Sequence, residues 1–249
     1  MADIWTVDCE TRPHEVYTWS LHQEHHSLSD LIQPGGVMMF AAKKLGGKME
    51  SHAEWDGREK MIHRLWEIYD SADAIISYNG VSFDHKHFRA EWALAGLPPP
   101  SPWIDIDLLK TVRRMNLPSR KLAYATAAFG LESKMDPGGM ETWRQIIRPD
   151  SEAKQLAARR RMVKYCRQDT NVTEQLFERL KPYIAGLNTQ IFTDSERPGC
   201  TRCGSEQLHS RGWFYTGSLR YRRFMCVECG SWMRDKKSEP HPGATLRSV

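Results

Sequence analysis

Runs of β-branched and aromatic residues alternate along the chain with stretches of helical spacing, and their order predicts the fold class. DIWTVDC (3–9) reads as a first strand. EVYTWSLH (15–22) and VMMFAAKK (37–44) read as two more, the last preceded by the turn Pro34-Gly35-Gly36. Three strands so close in sequence predict an antiparallel meander. In GREKMIHRLWEIYD (57–70), Met61, Ile62, Leu65, Trp66 and Tyr69 recur with a helical period. AIISYN (74–79) is a short buried strand. FDHKHFRAEWALAG (83–96) is a helix stopped by its glycine and by Pro98-Pro99-Pro100. WIDID (103–107) predicts a fifth strand leading into a short helix, LLKTVRRM, and KLAYATAAFG (121–130) predicts another. Ser151 to about Ile184 reads as one long helix, capped by Asp150 or Ser151 and ended near Pro182 and Gly186. Strands followed by helix–strand–helix–strand–helices predict an α/β fold. Its mixed sheet is antiparallel at the front, parallel afterwards and flanked by helices.

Composition bounds this picture. With 249 residues, 40% of them hydrophobic, and a mean hydropathy of -0.59, the chain can bury a core and suits one domain plus a smaller piece. No apolar run reaches the roughly 20 residues that cross a bilayer. The opening MADIWTVDCE lacks a basic and then an apolar region. The expectation is a cytoplasmic protein with no membrane partner. Net charge is only +4, but residues 197–249 hold ten Lys/Arg against four acids, which leaves the rest of the chain slightly acidic. A basic appendage suits a polyanion or serves solubility.

The candidate chemistry lies first in carboxylates. Val7-Asp8-Cys9-Glu10-Thr11 ends the first strand, and strand alternation turns Asp8 and Glu10 one way and Cys9 the other. Two carboxylates on one face repel unless a cation lies between them. Tyr78-Asn79-Gly80-Val81-Ser82-Phe83-Asp84 is a strand, a turn and a helix start, with Asp84 in the first helical turn, where an acid also suits the helix dipole. In Tyr165-Cys166-Arg167-Gln168-Asp169 the phenol and the last carboxylate share a helix face. Each of these alone is common.

Together and in this order, VDCET, NGxxFD and YxxxD resemble the DnaQ-like 3′→5′ exonucleases of the ribonuclease H-like superfamily. The tyrosine in the third motif resembles the DEDDy subgroup; the histidine form would need His where Lys164 or Tyr165 stands. The resemblance spans roughly residues 3–185. It implies a two-metal-ion exonuclease that hydrolyses phosphodiester bonds and releases nucleoside 5′-monophosphates. Asp8, Glu10, Asp84 and Asp169 would hold two Mg²⁺ or Mn²⁺, hard ions that prefer carboxylate oxygens. Tyr165 would orient the attacking water. Asn79 and Phe83 are candidates for the terminal-nucleotide subsite, with core packing as the other reading of Phe83. Thr11 is a candidate for substrate contact, and Cys9 reads as a core thiol. Asp105 and Asp107 end the fifth strand, with Asp107 placed to cap the next helix. His85 and His87 read as surface histidines, and His22, His25 and His26 are too irregular to assign. Arg159-Arg160-Arg161 and Lys164, about one turn before Tyr165, read as phosphate contacts or as a solvated helix face.

Four of the six cysteines form Cys200-x₂-Cys203 and Cys226-x₂-Cys229, separated by 22 residues and each followed by Gly-Ser. This spacing resembles a zinc ribbon with one structural zinc; without an export signal, a metal site is expected before disulfides. Between the pairs, RGWFYTGSLRYRRFM turns at Thr216-Gly217-Ser218. It mixes Trp213, Phe214, Tyr215 and Tyr221 with Arg211, Arg220, Arg222 and Arg223, aromatic faces for bases and arginines for phosphates. The expected organisation is 1–190 exonuclease domain, 191–199 linker, 200–235 ribbon and 236–249 disordered tail. The expected partner is a single-stranded or frayed 3′ end, DNA before RNA, with a polymerase or other replication or repair protein as a further partner. Two alternatives stand beside this reading. One is an exonuclease-fold docking module whose ribbon binds protein; the other is a structure-selective endonuclease.

Overall fold

A computed structural model describes residues 2–20, 22, 25–131, 135–193 and 195–243. The chain divides into two compact units, Asp3–Phe177 and a second made largely of residues from Glu178 onward. Expected features at Leu21, Asp194 and residues 244–249 lie outside the described residues.

The first unit is built on a five-stranded sheet. Its strands are β1 (Ile4–Arg12), β4 (Gly36–Lys44), β5 (Met49–Ala53), β6 (Ala74–Ser77) and β7 (Ile104–Asp107), in the order β5-β4-β1-β6-β7. The pairs β1–β4 and β4–β5 are antiparallel, and β1–β6 and β6–β7 are parallel, as the element order predicts. Helices α1 (Arg58–Ser71), α2 (Asp84–Leu94), α3 (Leu108–Val112), α4 (Leu122–Ala128), α5 (Gly139–Ile147) and α6 (Glu152–Leu180) complete the unit, and the division between units falls within α6.

Three expectations are corrected here. Among its described residues, the run 15–22 does not join the five-stranded sheet. Only β2 (Glu15–Val16) pairs, with β3 (Leu31–Gln33), as an outlying ribbon, while Tyr17 and Trp19 stand exposed. The third strand of the meander is instead β5, whose sequence MESHA shows no apolar alternation. Helix α5 follows Gly138, which adopts a left-handed conformation, in a stretch given no element above.

Strand β4 explains the core. Val37 to Ala42 are all buried, the mark of a strand covered on both faces. Val37, Phe40 and Ala42 join Val7, Cys9, Ile75 and the buried stripe Met61, Ile62, Leu65, Ile68 and Tyr69 of α1. Met38, Met39 and Ala41 pack with Ile146 of α5 and with Met162, Tyr165 and Cys166 of α6. Glu91 of α2 ties the first layer to the sheet: it accepts from the Val37 N–H at 2.9 Å and receives both Arg58 Nη2 contacts, at 2.7 and 2.6 Å.

The second unit carries an antiparallel sheet of β8 (Leu208–Thr216), β9 (Leu219–Cys226) and β10 (Trp232–Pro240). Strand β10 takes in residues 236–240, which sequence alone assigned to a disordered tail; alternating polar residues hide a strand whose pairing comes from Arg220 and Tyr221. A short turn runs into the first two residues of the expected linker, 191–199. Thr189–Phe192 is a 3₁₀ turn, the Thr189 N–H reaches the Thr201 carbonyl at 2.8 Å, and Gln190 Nε2 reaches the Gly204 carbonyl at 3.1 Å.

Candidate active site and metal centre

The register of β1 decides where its acids point. Asp8 lies opposite Ala41 and Glu10 opposite Met39, both in the layer under α6, whereas Cys9 lies opposite Phe40 in the other layer. Both carboxylates therefore face α6. After Glu10 the register shifts: Thr11 pairs with Val37, and Met38 is left as a bulge that interrupts the ladder at the site. From α6, Asp169 reaches the same place, and ligand oxygens of Asp8, Glu10 and Asp169 all lie within 4.8 Å of one another. Asp169 is 3% exposed. Like charges about 4 Å apart repel by about 4 kcal/mol each at an effective dielectric near 20. The set has hard oxygen donors and concentrated negative charge, so it fits a divalent cation such as Mg²⁺ or Mn²⁺.

Asp84 stands beside this trio without joining it. It is buried, and its Oδ1 accepts from the Cys9 N–H at 3.2 Å, between the two acids of β1. Burial pushes its carboxyl above the usual range, against the pull of the hydrogen bonds from Cys9. Tyr165 lies one helical turn before Asp169 and is 7% exposed. Burial, and then the negative fields of Asp169 and Glu10, raise its phenol well above the ordinary value. A phenol is already protonated at neutral pH at its ordinary value, so it offers the site a hydrogen-bond donor. Cys166 was not singled out by sequence. Its Sγ lies 3.6 Å from the Asp8 carbonyl and 3.8 Å from Asp8 Oδ2, packing α6 directly against the acidic strand.

The turn that delivers Asp84 is sterically exacting. Asn79 has φ 71°, a left-handed conformation Asn tolerates, and its N–H donates to Asp107 Oδ1 at 2.8 Å. Asp107 Oδ1 also accepts from the Leu109 N–H, so the expected cap of α3 holds both turns. A Cβ on Gly80 would lie 2.4 Å from Ser77 Oγ and 2.6 Å from Ser77 Cβ. Gly80→Ala is therefore expected to lower the stability by about 1–3 kcal/mol, read as a lower urea midpoint; an unchanged midpoint would mean the turn has room to shift.

Several other expected positions have defined surroundings. Phe83 is exposed, packs edge-on with His87 at 4.8 Å and is not in the core. His85 is not a surface residue: it is 1% exposed, lies 3.2 Å from Asp105 Oδ1 and packs edge-on against Tyr69 and Trp103. Following a helix-start acid, its side chain turns inward under α2, which spacing alone did not reveal. The Thr11 carbonyl is taken by Trp143 Nε1 at 3.0 Å. His22, His25 and His26 are exposed and enter neither metal-type cluster.

In the second unit, the four thiols of Cys200, Cys203, Cys226 and Cys229 also lie within 4.8 Å of one another. Sγ–Sγ separations of 3.5 Å (Cys200–Cys229) and 3.6 Å (Cys203–Cys226) exclude disulfides. They suit a tetrahedron with metal–sulfur bonds of about 2.3 Å. The two knuckles repeat one another. The Cys200 N–H donates to the Ser205 carbonyl and the Gly204 N–H to the Cys200 carbonyl; Cys226, Ser231 and Gly230 do the same. Gly204 (φ 81°) and Gly230 (φ 70°) supply the left-handed residue each turn needs. The cluster fits a zinc ribbon.

Strand alternation sorts the ribbon's aromatic and basic residues onto two faces. Trp213 pairs with Arg222 and Tyr215 with Arg220 on one face, and Phe214 pairs with Tyr221 on the other. The rings are not bare stacking platforms. Arg220 and Arg222 sit 4.0 and 4.2 Å from the Trp213 ring, Arg223 lies 4.8 Å from Trp232, and Arg234 lies 3.9 Å from Tyr221. Arg211 is exposed, and its carbonyl accepts from Arg223 Nε.

Comparison with known proteins places this geometry. A sequence model described as RNase H superfamily matches residues 29–181, more than half of the chain. The chain belongs to the RNase H superfamily. The matched span holds Asp84, Tyr165 and Asp169, whereas Asp8 and Glu10 precede it and are joined to the site by the β1–β4 pairing. No curated protein sequence matches the chain. Among solved structures, it is similar to the family B DNA polymerase from the hyperthermophilic archaeon Pyrobaculum calidifontis, with a TM-score of 0.53 and 19% identity. The likeness covers 73% of this chain and 25% of that one, so it speaks for the fold. No helix among the described residues of this RNase H superfamily member is long and apolar enough to cross a membrane.

Proposed function

We infer that the chain is a 3′→5′ exonuclease of the DEDDy type, hydrolysing phosphodiester bonds of nucleic acid and releasing nucleoside 5′-monophosphates. The observation that carries this reading is the convergence of Asp8, Glu10 and Asp169 oxygens within 4.8 Å, on the face where the buried Tyr165 lies. Asp8, Glu10, Asp84 and Asp169 would hold two Mg²⁺ or Mn²⁺, which would supply an acidified water and offset the charge developing in the phosphodiester displacement. The chain's own contribution is placement. The β1 ladder fixes Asp8 and Glu10, α6 brings Asp169, and the Cys9 N–H anchors Asp84 beside them. Tyr165, one helical turn before Asp169 and buried, would donate a hydrogen bond that orients the attacking water. Phe83 offers an exposed ring to the terminal base, with Asn79 and Thr11 at the neighbouring turn and strand end. The likeness to a DNA polymerase supports DNA ahead of RNA.

The ribbon would add a basic arm. Arg211, Arg220, Arg222 and Arg223 would meet phosphates, and Trp213 and Tyr215 would meet bases once their arginine neighbours move aside. A replication or repair protein is the proposed further partner.

The test is hydrolysis of an end-labelled strand by the zinc-loaded protein, with and without Mg²⁺ or Mn²⁺, for wild type and Tyr165→Phe. Losing one hydrogen bond to a charged or polarised group costs about 1.5–3 kcal/mol, so kcat is expected to fall roughly 10- to 150-fold. A loss as large as that from removing a carboxylate would make Tyr165 more than an orienting group. Activity independent of added metal would remove the reading altogether.

A further inference from the structure

Helix α6 carries a second feature, on the stripe formed by positions 156, 159, 160, 163, 164 and 167, which recur three and four apart. This stripe and the 3₁₀ turn Glu54–Asp56 line a cavity of about 490 Å³. Its charged lining is Arg159, Arg160, Lys164 and Arg167 against one carboxylate, Asp56. Trp55, Leu156 and Val163 give it an apolar floor. A second cavity of about 450 Å³ shares Trp55 and Arg159 with the first and reaches Arg12, two residues beyond Glu10 on β1. The two cavities neighbour one another through these shared residues, on the same helix α6 that carries Asp169 and the same strand β1 that carries Asp8 and Glu10.

The cations of the two cavities differ in how far they are already satisfied. Arg12 and Arg58 both bond to Glu54, and Arg167 Nη1 donates to Ser51 Oγ at 3.2 Å. Arg159 lies over the Trp55 ring at 5.4 Å, and its buried Nε–H has no acceptor among the described residues. Arg160 and Lys164 are exposed and form no ion pair among the described residues. Arg161, between them in sequence, turns away; its Nη1 lies 2.6 Å from where a Cβ on Gly138 would be. Arg159 to Arg167 spans eight residues, about 12 Å along the helix. Phosphates of one strand recur about every 3.4 Å along a duplex axis, so the stripe is long enough for more than one.

We propose that this groove on α6 and Trp55 binds the sugar–phosphate backbone of the substrate strand upstream of its 3′ end. Arg159, Arg160 and Lys164 take phosphates, and Trp55, Leu156 and Val163 lie under the sugars. The proposal rests on the exonuclease reading for what the strand is, but its binding test does not need hydrolysis.

The test is fluorescence anisotropy with a labelled 20-nucleotide single strand and the same strand as duplex. It uses the zinc-loaded full chain without Mg²⁺ or Mn²⁺. The variants are Arg160→Glu/Lys164→Glu, the milder Arg160→Gln/Lys164→Gln, and a control with the same charge change elsewhere, Lys48→Glu/Lys60→Glu. The Glu pair is expected to weaken single-strand binding roughly tenfold or more and to reduce the slope of log affinity against log salt by about 1.4, two phosphate contacts at ~0.7 each. The Gln pair should move both in the same direction by less, and the control should change affinity less than about twofold. Equal effects from the groove pair and the control, or none from either, would overturn the proposal. So would a loss confined to the duplex, which assigns the groove to the complementary strand. Digestion in Mg²⁺ with unchanged groove-variant affinity sinks the groove alone; groove-dependent binding with no digestion sinks the exonuclease reading alone.

Discussion

Replacing Asp8 or Asp169 by alanine is expected to lower kcat on a 3′-labelled strand in Mg²⁺ by roughly a thousandfold or more, about 4 kcal/mol of barrier. The two acids arrive from different elements, the end of β1 and one face of α6, yet their oxygens share one small volume with those of Glu10. Removing either leaves too few hard donors to hold a cation against water. The fold should survive, because Asp8 is only half-buried and the layers on either side are tied by Cys166, Met162 and β4. Removing a like-charged neighbour can even raise the melting temperature. A circular dichroism melt alongside the rate measurement separates the two effects: full activity in either variant removes the metal assignment, and an unfolded variant says nothing about chemistry.

The second large effect concerns the cysteines. Stripping the ribbon with a strong chelator, or Cys226→Ala, is expected to unfold β8 to β10 and leave the Asp3–Phe177 unit folded. The ribbon has almost no core of its own. Cys200, Cys226 and Ser231 are buried, but Phe214, Tyr215 and Trp232 are 42–55% exposed. A structural zinc in such a unit contributes about 10–16 kcal/mol at neutral pH, which is its folding energy. Hydrogen exchange reads this directly: amides of Leu208–Pro240 should lose protection while those of β6 keep theirs. Unchanged protection in β8–β10 would mean the hairpins hold themselves and the thiols serve something else.

What was legible in the sequence follows from periodicity. Asp8 and Glu10 share a face because strands alternate, and Tyr165 and Asp169 because helices return after four residues; neither inference needs tertiary knowledge. The knuckles were legible because left-handed glycines must follow each CxxC turn. Elements without a clean apolar pattern were not. MESHA becomes β5 because β4 lies ready to pair with it, and WMRDKKSEP becomes a long strand for the same reason beside β9. In contrast, EVYTWSLH has strand-forming residues and finds little to pair with. Placement in space was the other hidden term. Asp84 turns onto the Cys9 N–H, His85 turns inward, and Trp55 meets Arg159 across a hundred residues of sequence. The ribbon's rings and arginines looked like one mixed surface until register divided them between two faces.

The most direct test of the central claim is the product pattern from a 5′-labelled single strand incubated with the zinc-loaded full chain. With Mg²⁺ or Mn²⁺ present, the label should move down a ladder in single-nucleotide steps while nucleoside 5′-monophosphates accumulate, and without either ion the strand should stay intact. Internal fragments from the earliest times, immediate release of the labelled 5′ nucleotide, or a ladder that forms without the ions would contradict it.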